Sequence, residues 1–137
     1  MFQYIAQADE KPWQPGPYDG VQLKILHKNE STGAVTVLRK FAADSIIPAH
    51  THPLANEWAY VLSGEWEESE KVYTQGTLFH AHKGERHGPH KAKTEVISLT
   101  HFDGPLTVEG LSLTSLNPIL PGRKPGVHCF ASDHREL

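Results

Sequence analysis

The chain has 137 residues, with 13 Lys and Arg against 16 Asp and Glu, a formal net charge of −3 at neutral pH. That length suits one domain with a single core, and the slightly acidic balance gives no reason to expect nucleic acid or an anionic membrane as partner. No apolar run reaches the roughly 18 residues of a membrane span. The start, MFQYIAQADEKPWQPG, lacks the charged head and apolar stretch of a secretory signal. A single cysteine, Cys129, excludes an internal disulfide, and a cytoplasmic location is expected.

In chain order the predicted elements are short strands. Residues 1–20 are irregular, because Pro and Gly crowd the stretch DEKPWQPGPYDG. VQLKIL (21–26) then alternates Val21, Leu23 and Ile25 on one face. AVTVLRKF (34–41), EWAYVL (57–62), GTLFHAH (76–82), TEVISLTHF (94–102) and LTVEGLSL (106–113) follow, parted by the turn clusters NESTG, SG, KGERHGP and DGP. No stretch carries the 3.6-residue apolar period of a helix, and ten prolines and eleven glycines fit many tight turns. An all-β antiparallel sandwich or barrel is expected, with residues 117–137 as a tail over the sheet or onto another subunit. Trp58, Tyr60, Trp66 and Phe79 are read as barrel packing.

The chemistry concentrates in HTHPLANEWAYVLSG (50–64). Histidines four apart share a helical face, whereas His50 and His52, two apart, share a face only on an extended strand. Pro48 and Pro53 support extension, since a residue before proline is pushed out of the helical region. The two imidazoles therefore form a clamp with the makings of a metal site. Glu57 opens the next strand after the turn PLAN and is placed to bring a carboxylate to the same point. A third imidazole is expected from His87 in GERHGPH. A second pair, His80 and His82 in HAH, is the rival, able to join His87 or His90, although a pocket wall or partly exposed strand is the simpler reading. His90 and His101 read as structural or surface residues. The basic turn GRKPG (122–126) is too small for a nucleic-acid site, and Cys129 reads as an ordinary tail residue.

At these residues the chain resembles the cupin superfamily. The first cupin motif, G-x5-H-x-H-x3,4-E-x6-G, is met by His50, His52, Glu57 and Gly64, with Asp44 in place of the leading glycine. The second, G-x5-P-x-G-x2-H-x3-N, aligns with Gly76, Gly84 and His87, with His82 at its proline and Lys91 at its asparagine. The resemblance covers roughly residues 35–102 and implies a single cupin domain over 1–137, a double-stranded β-helix or jelly-roll barrel. It implies that His50, His52, Glu57 and His87 bind one divalent transition metal. Three imidazoles and a carboxylate suit Fe(II), the favoured ion, or Zn, Mn, Ni or Co, and disfavour Ca.

LSGEWEESE (62–70), GERHGP and FDGPLTV (102–108) further resemble a narrower cupin group that contains acetylacetone-cleaving and dihydroxyacetophenone-cleaving dioxygenases. That likeness implies oxidative cleavage of a carbon–carbon bond beside a carbonyl in a small diketone or hydroxyketone, with dioxygen as co-substrate. The acid varies within that group, so Glu68 or Glu70 is an alternative carboxylate or a partner that orients a ligand histidine. His82 is a candidate proton relay near the metal. Two other readings stand beside this one: a non-catalytic zinc or ligand sensor similar to the cupin domains of anti-sigma factors, and a cupin isomerase or lyase. A sugar-phosphate substrate would call on Lys83, Arg86, Lys91 and Lys93. Cupins commonly pair, so a homodimer is expected, through N-terminal strand exchange or sheet packing.

Overall fold

The structure is a computed structural model that describes residues 1–110. The expected tail 117–137, Cys129 and the GRKPG turn lie outside the described residues. After a 3₁₀ turn, Ala8–Glu10, the strands are β1 Gln14–Pro15, β2 Val21–Lys28, β3 Val35–Phe41, β4 Ile46–Ile47, β5 His50–Thr51, β6 Glu57–Ser63, β7 Trp66–Glu68, β8 Lys71–Tyr73, β9 Leu78–Ala81, β10 His90–Ala92, β11 Val96–Phe102 and β12 Glu109–Gly110. There is no α-helix among the described residues, and none long and apolar enough to cross a membrane.

Six strands form one sheet in the order β1-β2-β3-β11-β6-β9, and four form a second in the order β4-β10-β7-β8. A short β12-β5 pair lies apart from both. All the pairings are antiparallel. The main core joins the two larger sheets: Val21, Phe41, Val61 and Val96 from the first meet Ile47, Trp66 and Ala92 from the second. A neighbouring cluster of Val35, Val37, Ala55, Phe102 and Leu106 fills the other end. This is an all-β arrangement consistent with the expected jelly roll, with its ladders held in separate sheets rather than one continuous ring.

Side-chain alternation decides what points inward. Along β6, Glu57, Ala59 and Val61 are buried, while Tyr60 and Leu62 face outward. Along β11, Val96, Ser98, Thr100 and Phe102 are buried by the same rule. The aromatics therefore divide: Trp66 belongs to the core and Phe79 packs against it, whereas Tyr60 is exposed on the outer face. Gly64 makes the turn from β6 to β7 at φ +97°, where a Cβ would lie 2.2 Å from the Glu95 carbonyl oxygen. No side chain fits there, which gives the motif glycine its physical reason.

Candidate metal centre

His50 and His87 are placed by a reciprocal pair of backbone hydrogen bonds. His50 N–H donates to the His87 carbonyl and His87 N–H to the His50 carbonyl, both at 2.9 Å. The loop after β9 is thereby tied to β5, and the two rings meet at 4.4 Å between centroids. His52, two residues along the same extended segment, brings its ring to 4.8 Å from His50 and 5.1 Å from His87. Glu57 arrives from β6 because it occupies an inward position opposite Phe102 of β11 and Ala81 of β9. His50, His52 and Glu57 are all buried.

The protonation of the rings follows from their partners. Nδ1 of His50 bonds the Pro48 carbonyl at 2.7 Å, Nδ1 of His52 the Thr107 carbonyl at 3.0 Å, and Nδ1 of His87 the Glu85 carbonyl at 3.1 Å. A carbonyl oxygen only accepts, so each Nδ1 carries a proton, and the tautomer competent to ligate presents a bare Nε2. His52 Nε2 and His87 Nε2 stand 3.2 Å and 3.4 Å from Glu57 Oε1. All three atoms are buried, and these contacts leave them without a well-formed hydrogen bond. In that tautomer two lone pairs face a carboxylate oxygen. Each buried polar atom left unpaired costs about 1–3 kcal/mol. A divalent cation between them would satisfy all three, so the donor set fits a metal.

Protonating both imidazoles instead would crowd two more cations beside Arg39. The Arg39 guanidinium already contacts Glu57 Oε2 at 2.9 Å and donates from Nε to Thr100 Oγ1 at 3.1 Å. Burial by itself would raise the Glu57 pKa, but Arg39 and then the two imidazoles outweigh it and hold the carboxyl well below its usual range. Burial, followed by repulsion from the other imidazoles, pushes His50 well below the usual histidine value and keeps it neutral. At His87 burial again lowers, yet the Glu57 carboxylate prevails and the pKa is raised.

The four expected donors lie together, and His90 lies beside them, in two groups that share His87. His52, Glu57 and His87 each offer an atom within 4.8 Å of the others, and so do His50, His87 and His90. His80 and His82 join neither group among the described residues. His80 is stacked on Trp58 at 4.8 Å and bonds the Glu57 carbonyl through Nδ1 at 2.9 Å, and His82 is exposed beside it. His101 bonds Thr36 Oγ1 through Nδ1 at 2.9 Å on the exposed face, as a surface residue would. Glu70 is exposed in the β7–β8 turn, whereas Glu68, on β7, reaches the ring of His90.

Three contributors escaped sequence reasoning: Arg39, the His90–Glu68 pair as a unit, and Tyr18, whose ring lies 5.7 Å from His50. Arg39 left a trace in the sequence, since it sits at an inward position of β3 between Val37 and Phe41. An apolar cavity of about 190 Å3 opens against the cluster, walled by Tyr18, Phe41, Val61, Trp66 and Phe79.

The family of ChrR cupin-like domains matches residues 2–107. The chain belongs to this cupin family. The match begins well before the motif core at 35–102 and takes in the N-terminal segment. No curated protein matches the chain. Among solved structures it is similar to an RmlC-like cupin from Ralstonia eutropha JMP134, at TM-score 0.66 and 22% identity over 79% of this chain and 73% of that one. It is similar to an acetylacetone dioxygenase from Acinetobacter johnsonii, at TM-score 0.64 and 20% identity over 78% and 77%. KdgF from Halomonas sp. has TM-score 0.62 and 24% identity over 73% and 94%. At these identities the likeness is one of fold, and the cupin fold carries several chemistries.

Proposed function

We propose that this cupin uses a divalent transition metal, Fe(II) for preference, to cleave a carbon–carbon bond next to a carbonyl in a small diketone or hydroxyketone. The cation would be held by His50, His52, Glu57 and His87, whose three rings converge within 4.4–5.1 Å of one another. The observation that carries the reading is the cavity of about 190 Å3 against this cluster, with walls that are mainly apolar. It is smaller than the ~300–1,000 Å3 of sites for drug-sized ligands, which selects a substrate of few carbon atoms. No lysine lines it among the described residues, and its arginine, Arg39, is engaged by Glu57, so a sugar phosphate finds no free cation there. The acetylacetone dioxygenase among the fold neighbours is named for a β-diketone of this size.

When bound, such a metal acidifies an enol and makes dioxygen reduction accessible, both oxygen atoms ending in the two carbonyl products. The protein's own residues set the stage for that. The carbonyls of Pro48, Thr107 and Glu85 orient the imidazoles, and Arg39 fixes the carboxylate so that Oε1 faces inward. Tyr18, Trp66 and Phe79 keep water from the reacting carbon and favour an apolar chain.

The test is anaerobic loading with Fe(II), then oxygen uptake with a panel of β-diketones and hydroxyketones. Uptake matched one to one by substrate loss is expected, and His87→Ala should lose both metal and uptake. An iron-saturated protein that consumes no oxygen across the panel would remove this function. Tightly held zinc with no oxygen chemistry would favour the sensor reading in its place.

A further inference from the structure

The inner face of β11 carries two buried hydroxyls, Thr100 and Ser98, one and two inward positions along the strand from Phe102. Phe102 faces Glu57 of β6, Thr100 faces Ala59, and Ser98 faces Val61. The inward positions on either side of the pair, Val96 and Phe102, are apolar. A buried hydroxyl costs free energy unless it is hydrogen-bonded, so the partners of these two decide what they are for.

Those partners are few. Arg39 Nε donates to Thr100 Oγ1 at 3.1 Å, and Thr100 Oγ1 and Ser98 Oγ meet at 2.9 Å. Neither hydroxyl has another partner among the described residues. Two hydroxyl hydrogens share one hydroxyl–hydroxyl bond, so one hydrogen is left to give. Thr100 is fully enclosed and does not line the cavity, whereas Ser98 does. A hydrogen left on Thr100 would be buried with no acceptor, but on Ser98 it meets the cavity. The chain therefore runs one way: Arg39 N–H to Thr100, Thr100 O–H to Ser98, and Ser98 O–H into the cavity. The cationic donor at its head polarises each hydroxyl in turn and strengthens the last one.

The neighbours of Ser98 on the cavity wall, Val61 across the strands and Val96 two residues before it, are apolar. Ala59, between Glu57 and Val61 on β6, lines the cavity with a single methyl, which leaves room between the metal ligands and Ser98. One neutral hydroxyl among apolar walls does not compensate a buried anion, and Arg39 is already engaged by Glu57 and Thr100. An uncharged acceptor oxygen is what that hydrogen suits.

We propose that Ser98 is a specificity-determining residue whose hydroxyl donates to an uncharged oxygen carried on the substrate chain, beyond the two oxygens of the reacting end. This rests on the reading of the cavity as the site of a metal-bound diketone or hydroxyketone. The substrate is then a small ketone with a third oxygen, as carbonyl, ether or hydroxyl. A purely alkyl diketone fits the same space and leaves the Ser98 hydrogen unpaired.

The test is anaerobic calorimetric titration of the Zn(II)-loaded protein with octane-2,4-dione and its two ether isosteres, 1-ethoxypentane-2,4-dione and 6-methoxyhexane-2,4-dione. At least one ether is expected to bind the wild-type protein, and Ser98→Ala should weaken it roughly five- to tenfold, the worth of one hydrogen bond. Octane-2,4-dione should change less than about twofold, which also verifies that the variant is folded and loaded. Each ligand is compared between proteins, so differences in its own acidity cancel. Ser98→Cys, nearly the same shape with a weak donor, should behave alike and serves if the alanine variant does not fold. Ether affinities equal in wild type and variants, or an equal loss for octane-2,4-dione, would overturn the role of Ser98. So would binding of octane-2,4-dione with neither ether accepted. If none of the three binds the wild-type protein, the substrate reading fails and the role of Ser98 with it. Ser98-dependent ether binding without oxygen uptake by the Fe(II) protein would remove the cleavage reaction and leave that role standing.

Discussion

The guanidinium of Arg39 meets Glu57 Oε2 at 2.9 Å and Thr100 Oγ1 at 3.1 Å, deep between β3, β11 and β6. Removing one member of a buried ion pair leaves the other uncompensated, at a cost of about 3–5 kcal/mol. Arg39→Met should therefore lower the urea stability of the metal-free protein by roughly that amount. Saturating zinc should recover part of the loss, because the ion takes over the charge of Glu57; equal losses with and without zinc would place Glu57 away from the metal. Proton competition gives a second prediction. The raised pKa of His87 makes it the first ligand to protonate on acidification, while burial keeps His50 neutral to lower pH and Glu57 stays ionised. Apparent metal affinity should thus begin to fall above pH ~6.5, by one proton at first and more steeply below. Isothermal titration at stepped pH measures that slope, and a flat profile from pH 7.5 to 5.5 would exclude imidazole ligation. The His-x-His spacing and Glu57 were legible because local spacing fixes which face a side chain takes. Arg39 was not, and Glu68 was named there without its histidine, because their partners, Glu57 and His90, are 18 and 22 residues away and meet them only across strands.

Among the elements, the longer strands were readable and the shorter ones were not. β2, β3, β6, β9 and β11 fall on the alternating or β-branched apolar runs that read as strands in the sequence. β4, β5, β7, β8 and β10 have two or three residues each, too few to display a period, and take their form from pairing with neighbours. The run at 106–113 contributes the two residues of β12, and its end lies beyond the described residues. The stretch at 9–20, crowded with Pro and Gly, nevertheless supplies β1, which pairs with β2, and the loop that carries Tyr18 to the cavity. At Gly64 an added methyl would meet the Glu95 carbonyl at 2.2 Å, with φ at +97°. Gly64→Ala should cost at least about 1–3 kcal/mol, the range for a residue held in a disfavoured backbone region. It should loosen β7, the strand that presents Glu68, and thermal denaturation with hydrogen exchange at β7 would report both; an unchanged melting temperature would show that the turn relaxes freely.

Across the whole molecule, the centre ties together segments that the chain visits at different times: β5 and the residue after it, the first residue of β6, and the loop that holds His87. An ion bound at a hundred times its dissociation constant stabilises the folded state by about 2.7 kcal/mol. For a domain of this length that corresponds to a melting temperature roughly 10 °C higher, which chelation should abolish and zinc or cobalt restore. Calorimetry with and without chelator measures it, and identical curves would mean that no ion is held. The jelly roll itself was legible through two spaced motifs, since their residues serve both the turns and the ligands. The nearness of His90 to these donors was not, because it depends on how the small sheet sets β10 against β7. The orientation of the three imidazoles has a consequence of its own. Their anchors at positions 48, 85 and 107 are main-chain oxygens, so exchanging the side chains there removes no anchor. Relatives are free to drift at those three positions without disturbing the aim of the rings, provided the path of the chain is kept.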